Sequence, residues 1–194
     1  WPCRNPGEDA RLFKAVKAAS DFAIALGINI PTGKDSLSMT QKYPDGEKVF
    51  SPGTVIISAA AEVIDIKKVI SPVIQPEFTS TLLYIDFSAD KFKTGGSSLA
   101  QILNGLGDEA PVVNNPDYFV RAFEAVQTLI NKGVVLAGHD ISSGGLVTTL
   151  LEMLFAQPGI GLEADLNGFG ESDIVKLLFS ENPGVVIQVN DLDY

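Results

Sequence analysis

A chain of 194 residues suffices for one large domain or two small ones, each with its own core. With 45% hydrophobic and 20% charged residues its composition is ordinary for a globular protein, and no apolar run approaches the roughly 20 residues that cross a bilayer. A formal net charge of -10 argues against nucleic acid as a partner, because no basic patch can replace phosphate counterions; a small nucleotide held by backbone amides and a metal stays open.

The chain begins Trp1-Pro2-Cys3-Arg4, without an initiator Met or an apolar signal segment, so the expectation is a piece of something longer. Its one cysteine, Cys3, cannot form an internal disulfide or a thiolate metal site. From Gly7 to Gly27 the pattern is helical: Leu12, Val16, Ala19, Ala23 and Leu26 recur at three- and four-residue steps, Glu8 and Asp9 suit the first turn, and Gly27 is a natural stop. Leu37 to Tyr43 reads as a strand, Pro44-Asp45-Gly46 as a turn leading back through Val49, and Thr54 to Ile64 as a long strand. Ser71 to Thr79 carries two prolines and little periodicity, which places a domain boundary between residues 74 and 75.

Beyond that boundary strands and helices alternate. Strands are expected at Leu82–Phe87, Val134–Ala137, Gly161–Asp165 and Gly184–Val189. Helices are expected at Ser97–Leu103, Asp117–Asn131, Gly144–Phe155 and Ile174–Phe179. This order predicts a layered α/β or α+β domain. The chain ends at Asp191-Leu192-Asp193-Tyr194, directly after a strand, where a domain is expected to continue.

The strongest chemical signal is Gly138-His139-Asp140-Ile141-Ser142-Ser143-Gly144-Gly145, where a buried strand hands over to a helix. Ser142 or Ser143 can cap that helix, and Gly144 and Gly145 let a ligand approach the backbone. Unpaired amides at a helix start attract anions, and one carboxylate with phosphate oxygens can hold Mg²⁺. The turn therefore reads either as an ordinary capped helix or as a metal-nucleotide contact through Asp140, with a phosphate near Ser142. His139 is the sole histidine and reads as structural.

A second signal, Thr32-Gly33-Lys34-Asp35-Ser36, is not a P-loop. Gly27 lies one position too far upstream, and Asp35 separates Lys34 from Ser36. It is either a polar hairpin approach or another phosphate or metal loop, with Lys34 as point charge and Asp35 as ligand. A third turn, Thr94-Gly95-Gly96-Ser97-Ser98, also opens a helix and could face an anion.

Several stretches together resemble a known family, in order along nearly the whole chain. They are Pro6-Gly7-Glu8-Asp9-Ala10, the run Ile30 to Met39 with its Gly-Lys-Asp-Ser loop, Ser51 to Ala59, His139 to Leu146, and Gly184 to Val189. The family is formylglycinamidine ribonucleotide synthetase in its large, single-chain form, within a superfamily that looks like aminoimidazole ribonucleotide synthetase. The resemblance implies an α/β (α+β) fold. Residues 1–74 would be the tail of an ATP-binding domain whose strands join a partner's in a barrel, and 75–194 most of the α/β domain that follows.

It implies a piece of a cytoplasmic ligase that uses ATP and glutamine to convert formylglycinamide ribonucleotide to its amidine, with no catalytic residue here and no activity alone. The implied partners are the first synthetase unit and the glutaminase domain of the parent, and the implied cofactors are Mg²⁺ and ATP or ADP. Asp140 matches the metal ligand of relatives and Ser142 a nucleotide contact; Gly144 and Lys34 join them as nucleotide-binding candidates. Gly33, Asp35 and Ser36 occupy the place of a loop that touches phosphate or substrate in smaller relatives, which carry Gly-Gly-Asn there. The alternative is another superfamily member, the cyclase or a small-molecule kinase, against which the Gly-Lys-Asp-Ser-Leu-Ser run speaks.

Overall fold

The computed structural model describes residues 1–76 and 79–191. Part of the aperiodic stretch Ser71–Thr79 and the end of the chain beyond Asp191 lie outside the described residues. The chain divides into two compact units, Trp1–Val63 and Ile64–Tyr194.

In the first unit, helix α1 spans Glu8–Leu26 with Glu8 and Asp9 in its first turn. Gly27 closes it in the left-handed conformation, and its amide returns to the carbonyls of Ala23 and Ile24. Ala23 is buried and Leu12, Ala19 and Leu26 are half-buried, as the helical spacing predicts; Val16, expected on that face, is exposed. Strands β1 (Thr40–Lys42) and β2 (Lys48–Phe50) form an antiparallel hairpin, with Thr40 opposite Phe50. Its turn is closed by the Tyr43 amide on the Glu47 carbonyl at 2.9 Å.

The long strand expected at Thr54–Ile64 does not form. Its β-branched residues fit a pleated surface, but a strand exists only where a second strand completes its hydrogen bonds. Among the described residues this segment has no such ladder, and Ile56 and Ile64 are 86% and 96% exposed.

The second unit is built on a three-stranded sheet in the order β3-β5-β4, antiparallel throughout. Strand β3 is Ser80–Asp86, β4 is Val135–Asp140 and β5 is Gly184–Asn190. The helices are α2 (Ser98–Ile102), α3 (Pro116–Asn131), α4 (Gly145–Leu154) and α5 (Ile174–Phe179). Local sequence starts three of them: Ser97, Asn115 and Asp173 cap α2, α3 and α5 through side-chain oxygens, and Pro116 supplies the first turn of α3.

Alternation along β5 separates two cores. Val186 joins Ala137, Ile141, Leu146 and Met153, so this face lies under α4. Ile187 and Val189 join Val135, with Leu129 and Ile130 of α3 packed against them. Helix, sheet and helix thus form three layers. The strand expected at Gly161–Asp165 is absent, since the described residues offer that short segment no pairing strand. Among the described residues no helix is long and apolar enough to cross a membrane.

The segment that precedes β3 is fastened to this sheet through Gln75. The Gln188 side chain, 2% exposed, accepts the Gln75 amide at 2.8 Å and donates to the Gln75 carbonyl at 2.9 Å and to Ser80 Oγ at 2.7 Å. Replacing it with leucine keeps the bulk and strands those partners. We expect Gln188→Leu to lower unfolding free energy by about 2 kcal/mol in a urea titration, and Ser80→Ala by less than about 1 kcal/mol.

Candidate functional site

The two motifs singled out in the sequence lie in different units. In the first, the loop of Thr32 to Ser36 runs along a cavity of about 730 Å³, whose walls include Leu12 and Ala19 of α1 and the segment Thr54 to Ile57. Gly33, Lys34 and Asp35 are exposed, and Ser36 is half-buried. The Lys34 ammonium donates to Ser36 Oγ at 2.6 Å, so a cation and a hydroxyl are presented together. A side chain at Gly33 would meet open space, and its φ is not in the left-handed range. The fold of this unit therefore does not require glycine there, whereas a ligand approaching the backbone would. Across the loop, Trp1 Nε1 donates to the Thr54 carbonyl at 3.0 Å and its ring covers the position a Gly53 side chain would occupy. The Arg11 guanidinium stands 5.8 Å from the centre of that ring.

In the second unit, β4 delivers the His139–Gly145 turn to the edge of the α4 core. Ile141 continues the strand by donating its amide to the Gly184 carbonyl at 2.8 Å and buries its side chain. Pleating then sends the Asp140 carboxylate outward, where it is 71% exposed. Gly144 and Gly145 are both left-handed, with φ of 91° and 72°, so the chain reverses and starts α4 at once. The Gly145 amide reaches back to the Ser142 carbonyl at 3.0 Å. The Thr149 hydroxyl lies 3.1 Å from the Asp140 carbonyl and 3.2 Å from that of Gly145, tying the turn to the helix it precedes.

His139 is held in place from both ring nitrogens. Nε2 lies 3.0 Å from the Glu152 carboxylate on α4, and Nδ1 lies 2.9 Å from the Asp140 carbonyl oxygen. The ring links the strand end to the helix, which fits its structural reading.

The expected serine cap is not made. Gly144 is the N-cap of α4 and no side chain of its own can serve; Ser142 and Ser143 stay exposed. The Gly144 amide instead donates to Glu181 Oε1 at 2.8 Å, and the same oxygen accepts the Ser98 amide at 2.8 Å. The third glycine turn is likewise engaged within the protein: the Gly95 amide goes to the Glu109 carbonyl, that of Gly96 to Leu106, and that of Ser97 to Thr94. With its amides occupied, that turn offers no anion site.

Glu181 was not singled out in the sequence, where it is one carboxylate in the link between α5 and β5. Its neighbour Asn182, 1% exposed, donates to the Lys91 carbonyl at 3.0 Å and to Ser88 Oγ at 3.2 Å. Close by, a hydrogen bond of 2.5 Å from the Lys93 ammonium holds the Asp90 carboxyl below its ordinary value. A lowered carboxyl pKa makes this contact stabilising above an ordinary value of about 4, and the stabilisation is lost as pH falls through the lowered one.

As a metal site the turn is partial. Asp140 supplies one exposed carboxylate, and no group of three or more His, Cys, Asp or Glu placed to hold a metal ion exists among the described residues. One carboxylate suits Mg²⁺ when phosphate and water oxygens fill its other positions. It does not suit a cation held by protein alone.

Comparison with known proteins matches both units. Residues 1–62 match the FGAR-AT PurM_N-like domain, and residues 90–191 match the AIR synthase related protein, C-terminal domain. The chain is 40% identical over 194 residues, its full length, to phosphoribosylformylglycinamidine synthase of Homo sapiens. It is 41% identical over 192 residues, 98% of its length, to the probable phosphoribosylformylglycinamidine synthase, chloroplastic/mitochondrial, of Arabidopsis thaliana. It spans 14% and 13% of the length of those two relatives. More than half of the chain matches one family model, and the chain belongs to the family of AIR synthase related proteins.

Proposed function

We propose that this chain serves as part of an ATP- and glutamine-dependent ligase that converts formylglycinamide ribonucleotide to formylglycinamidine ribonucleotide, and that its own share of the work is to hold a magnesium nucleotide and to act as scaffold. The observation that carries this reading is 40% identity to a phosphoribosylformylglycinamidine synthase across all 194 residues, so that both units and both motifs fall within one relative. A single shared domain fits many chemistries; two domains matched along one relative support this reading over others.

The residues support a binding role better than a catalytic one. Asp140 would hold Mg²⁺ and Ser142, exposed two residues on, would meet the nucleotide. When bound, the ion neutralises polyphosphate charge. In the first unit Lys34 offers a cation beside Ser36, with Gly33 leaving the backbone open to a phosphate or substrate and Asp35 exposed next to them. The apolar surface of that unit supports the scaffold role: Phe13, Ile24, Ile56, Val63 and others stand largely exposed, and exposed apolar side chains are what a docking partner covers. In this reading the remainder of the parent ligase, with its other synthetase unit and its glutaminase, covers that surface.

Calorimetric titration of the chain with ADP, with and without Mg²⁺, tests the local role. We expect binding that magnesium strengthens, and we expect Asp140→Ala to remove that strengthening, a loss of about tenfold or more in affinity. No heat from the wild-type chain at millimolar Mg-ADP would eliminate the nucleotide role and leave the scaffold alone. Amidine formed by the isolated chain from ATP, glutamine and formylglycinamide ribonucleotide would overturn the division of labour altogether.

A further inference from the structure

We propose that Glu181 is the positioning residue of the Asp140 turn: its carboxylate clamps the Gly144 turn to the start of α2, so that Asp140 and Ser142 stand where a metal-bound polyphosphate meets them. The proposal rests on reading this turn as a magnesium nucleotide site.

One oxygen, Glu181 Oε1, accepts two backbone amides, Gly144 and Ser98, each at 2.8 Å. Both donors stand at helix starts, where amides lack partners within their own helix and where negative charge is favoured. A carboxylate bonded to two amides makes charge-assisted hydrogen bonds, stronger than neutral ones. The Gly144 amide is the one a glycine-rich turn would otherwise present to a phosphate. Glu181 takes it, so the amide of Gly144, a nucleotide-binding candidate in the sequence, is already occupied, which leaves the exposed Ser142 for the anion and the Asp140 carboxylate for the metal.

Glu181 can act as a clamp because its own backbone is fixed on both sides. Ser180, 3% exposed, donates its amide to the Lys176 carbonyl at 3.0 Å. Asn182 is tied to Lys91 and Ser88 as described, and its Oδ1 accepts the Lys93 amide at 3.3 Å. Just beyond, the Gly184 carbonyl receives the Ile141 amide, so the same link is paired with the residue next to Asp140. Asp140 is thus located from one side by the β4–β5 ladder and from the other by the Gly144 turn, which Glu181 holds. Lengthening either support lets the carboxylate wander on its exposed turn. Thr149 ties the turn to α4 from within, and among the described residues Glu181 is the side chain that receives the Gly144 amide and joins the turn to α2.

Two substitutions separate reach from charge. Glu181→Asp keeps the charge but withdraws it by one methylene, so that it no longer spans both amides. Glu181→Gln keeps the reach and an acceptor oxygen but removes the charge. Amide hydrogen exchange at Gly144 and Ser98, without nucleotide, reports the clamp; calorimetry with Mg-ADP reports the site. We expect Glu181→Asp to speed exchange of both amides and to weaken Mg-ADP about tenfold, with Glu181→Gln recovering both to within about threefold of wild type.

Faster exchange with unchanged affinity would make Glu181 a fastener of the fold only and overturn the proposal. So would weaker binding with exchange unchanged, or no change in either measurement. Failure of the wild-type chain to bind Mg-ADP is a different result: it removes the site itself, and the positioning role with it, even where its Gly144 and Ser98 amides prove protected.

Discussion

Gly145→Ala is expected to lower the melting temperature of the chain by about 10 °C, the loss of about 3 kcal/mol. Two costs combine. At φ 72° an alanine would occupy the left-handed region, which disfavours any residue with a Cβ. That Cβ would also lie 2.7 Å from the carbonyl oxygens of Leu178 and Ser180 and 2.8 Å from the carbonyl carbon of Phe179. These are backbone atoms at the end of α5, so no side chain can swing aside, and either α4 or α5 must shift. Gly159 provides the control. Its φ of 91° is equally left-handed, but a Cβ there meets nothing within 4 Å, so Gly159→Ala should cost only the conformational part, about 1 kcal/mol. Thermal unfolding followed by circular dichroism on both variants separates the terms. Equal losses would show that packing of the Gly145 turn against α5 contributes nothing.

Met153→Ala should cost about as much, about 3 kcal/mol. Met153 is 1% exposed and belongs to the core between α4 and the sheet, with Ala137, Ile141, Leu146 and Val186. Removing its side chain leaves a void that neighbours on a sheet and a helix cannot close without moving both. Its carbonyl also receives the Ile74 amide at 3.1 Å, so helix displacement would disturb that segment as well. Met153→Leu, close in volume, should lose less than about 1.5 kcal/mol. Leu151, two residues earlier on the same helix and 50% exposed, should tolerate alanine at under about 1 kcal/mol. Urea unfolding of the three variants checks the order, and a Leu151 effect equal to that of Met153 would place the buried face of α4 elsewhere.

The sequence by itself determined what neighbouring residues settle among themselves. Helix α1 starts on acidic residues and stops at Gly27 because a left-handed glycine ends a helix without help from elsewhere. The Tyr43–Glu47 turn, the Asn115-Pro116 start of α3 and the glycine pair that turns β4 into α4 are legible for the same reason. The family resemblance, carried by motifs quoted in order, also needed no coordinates.

The tertiary structure alone decided which apolar segments become strands, what caps α4, and how the turn is held. Thr54–Ile64 and Gly161–Asp165 have β-branched or alternating residues, but a strand is completed by a partner distant in the chain, and among the described residues neither has one. Ser142 and Ser143 are the natural caps by proximity, yet both stay exposed while Glu181 takes the Gly144 amide. An unpaired amide at a helix start donates to whichever oxygen the fold brings within reach, and nothing in the residues around Gly144 names a carboxylate that arrives from the far side of α5.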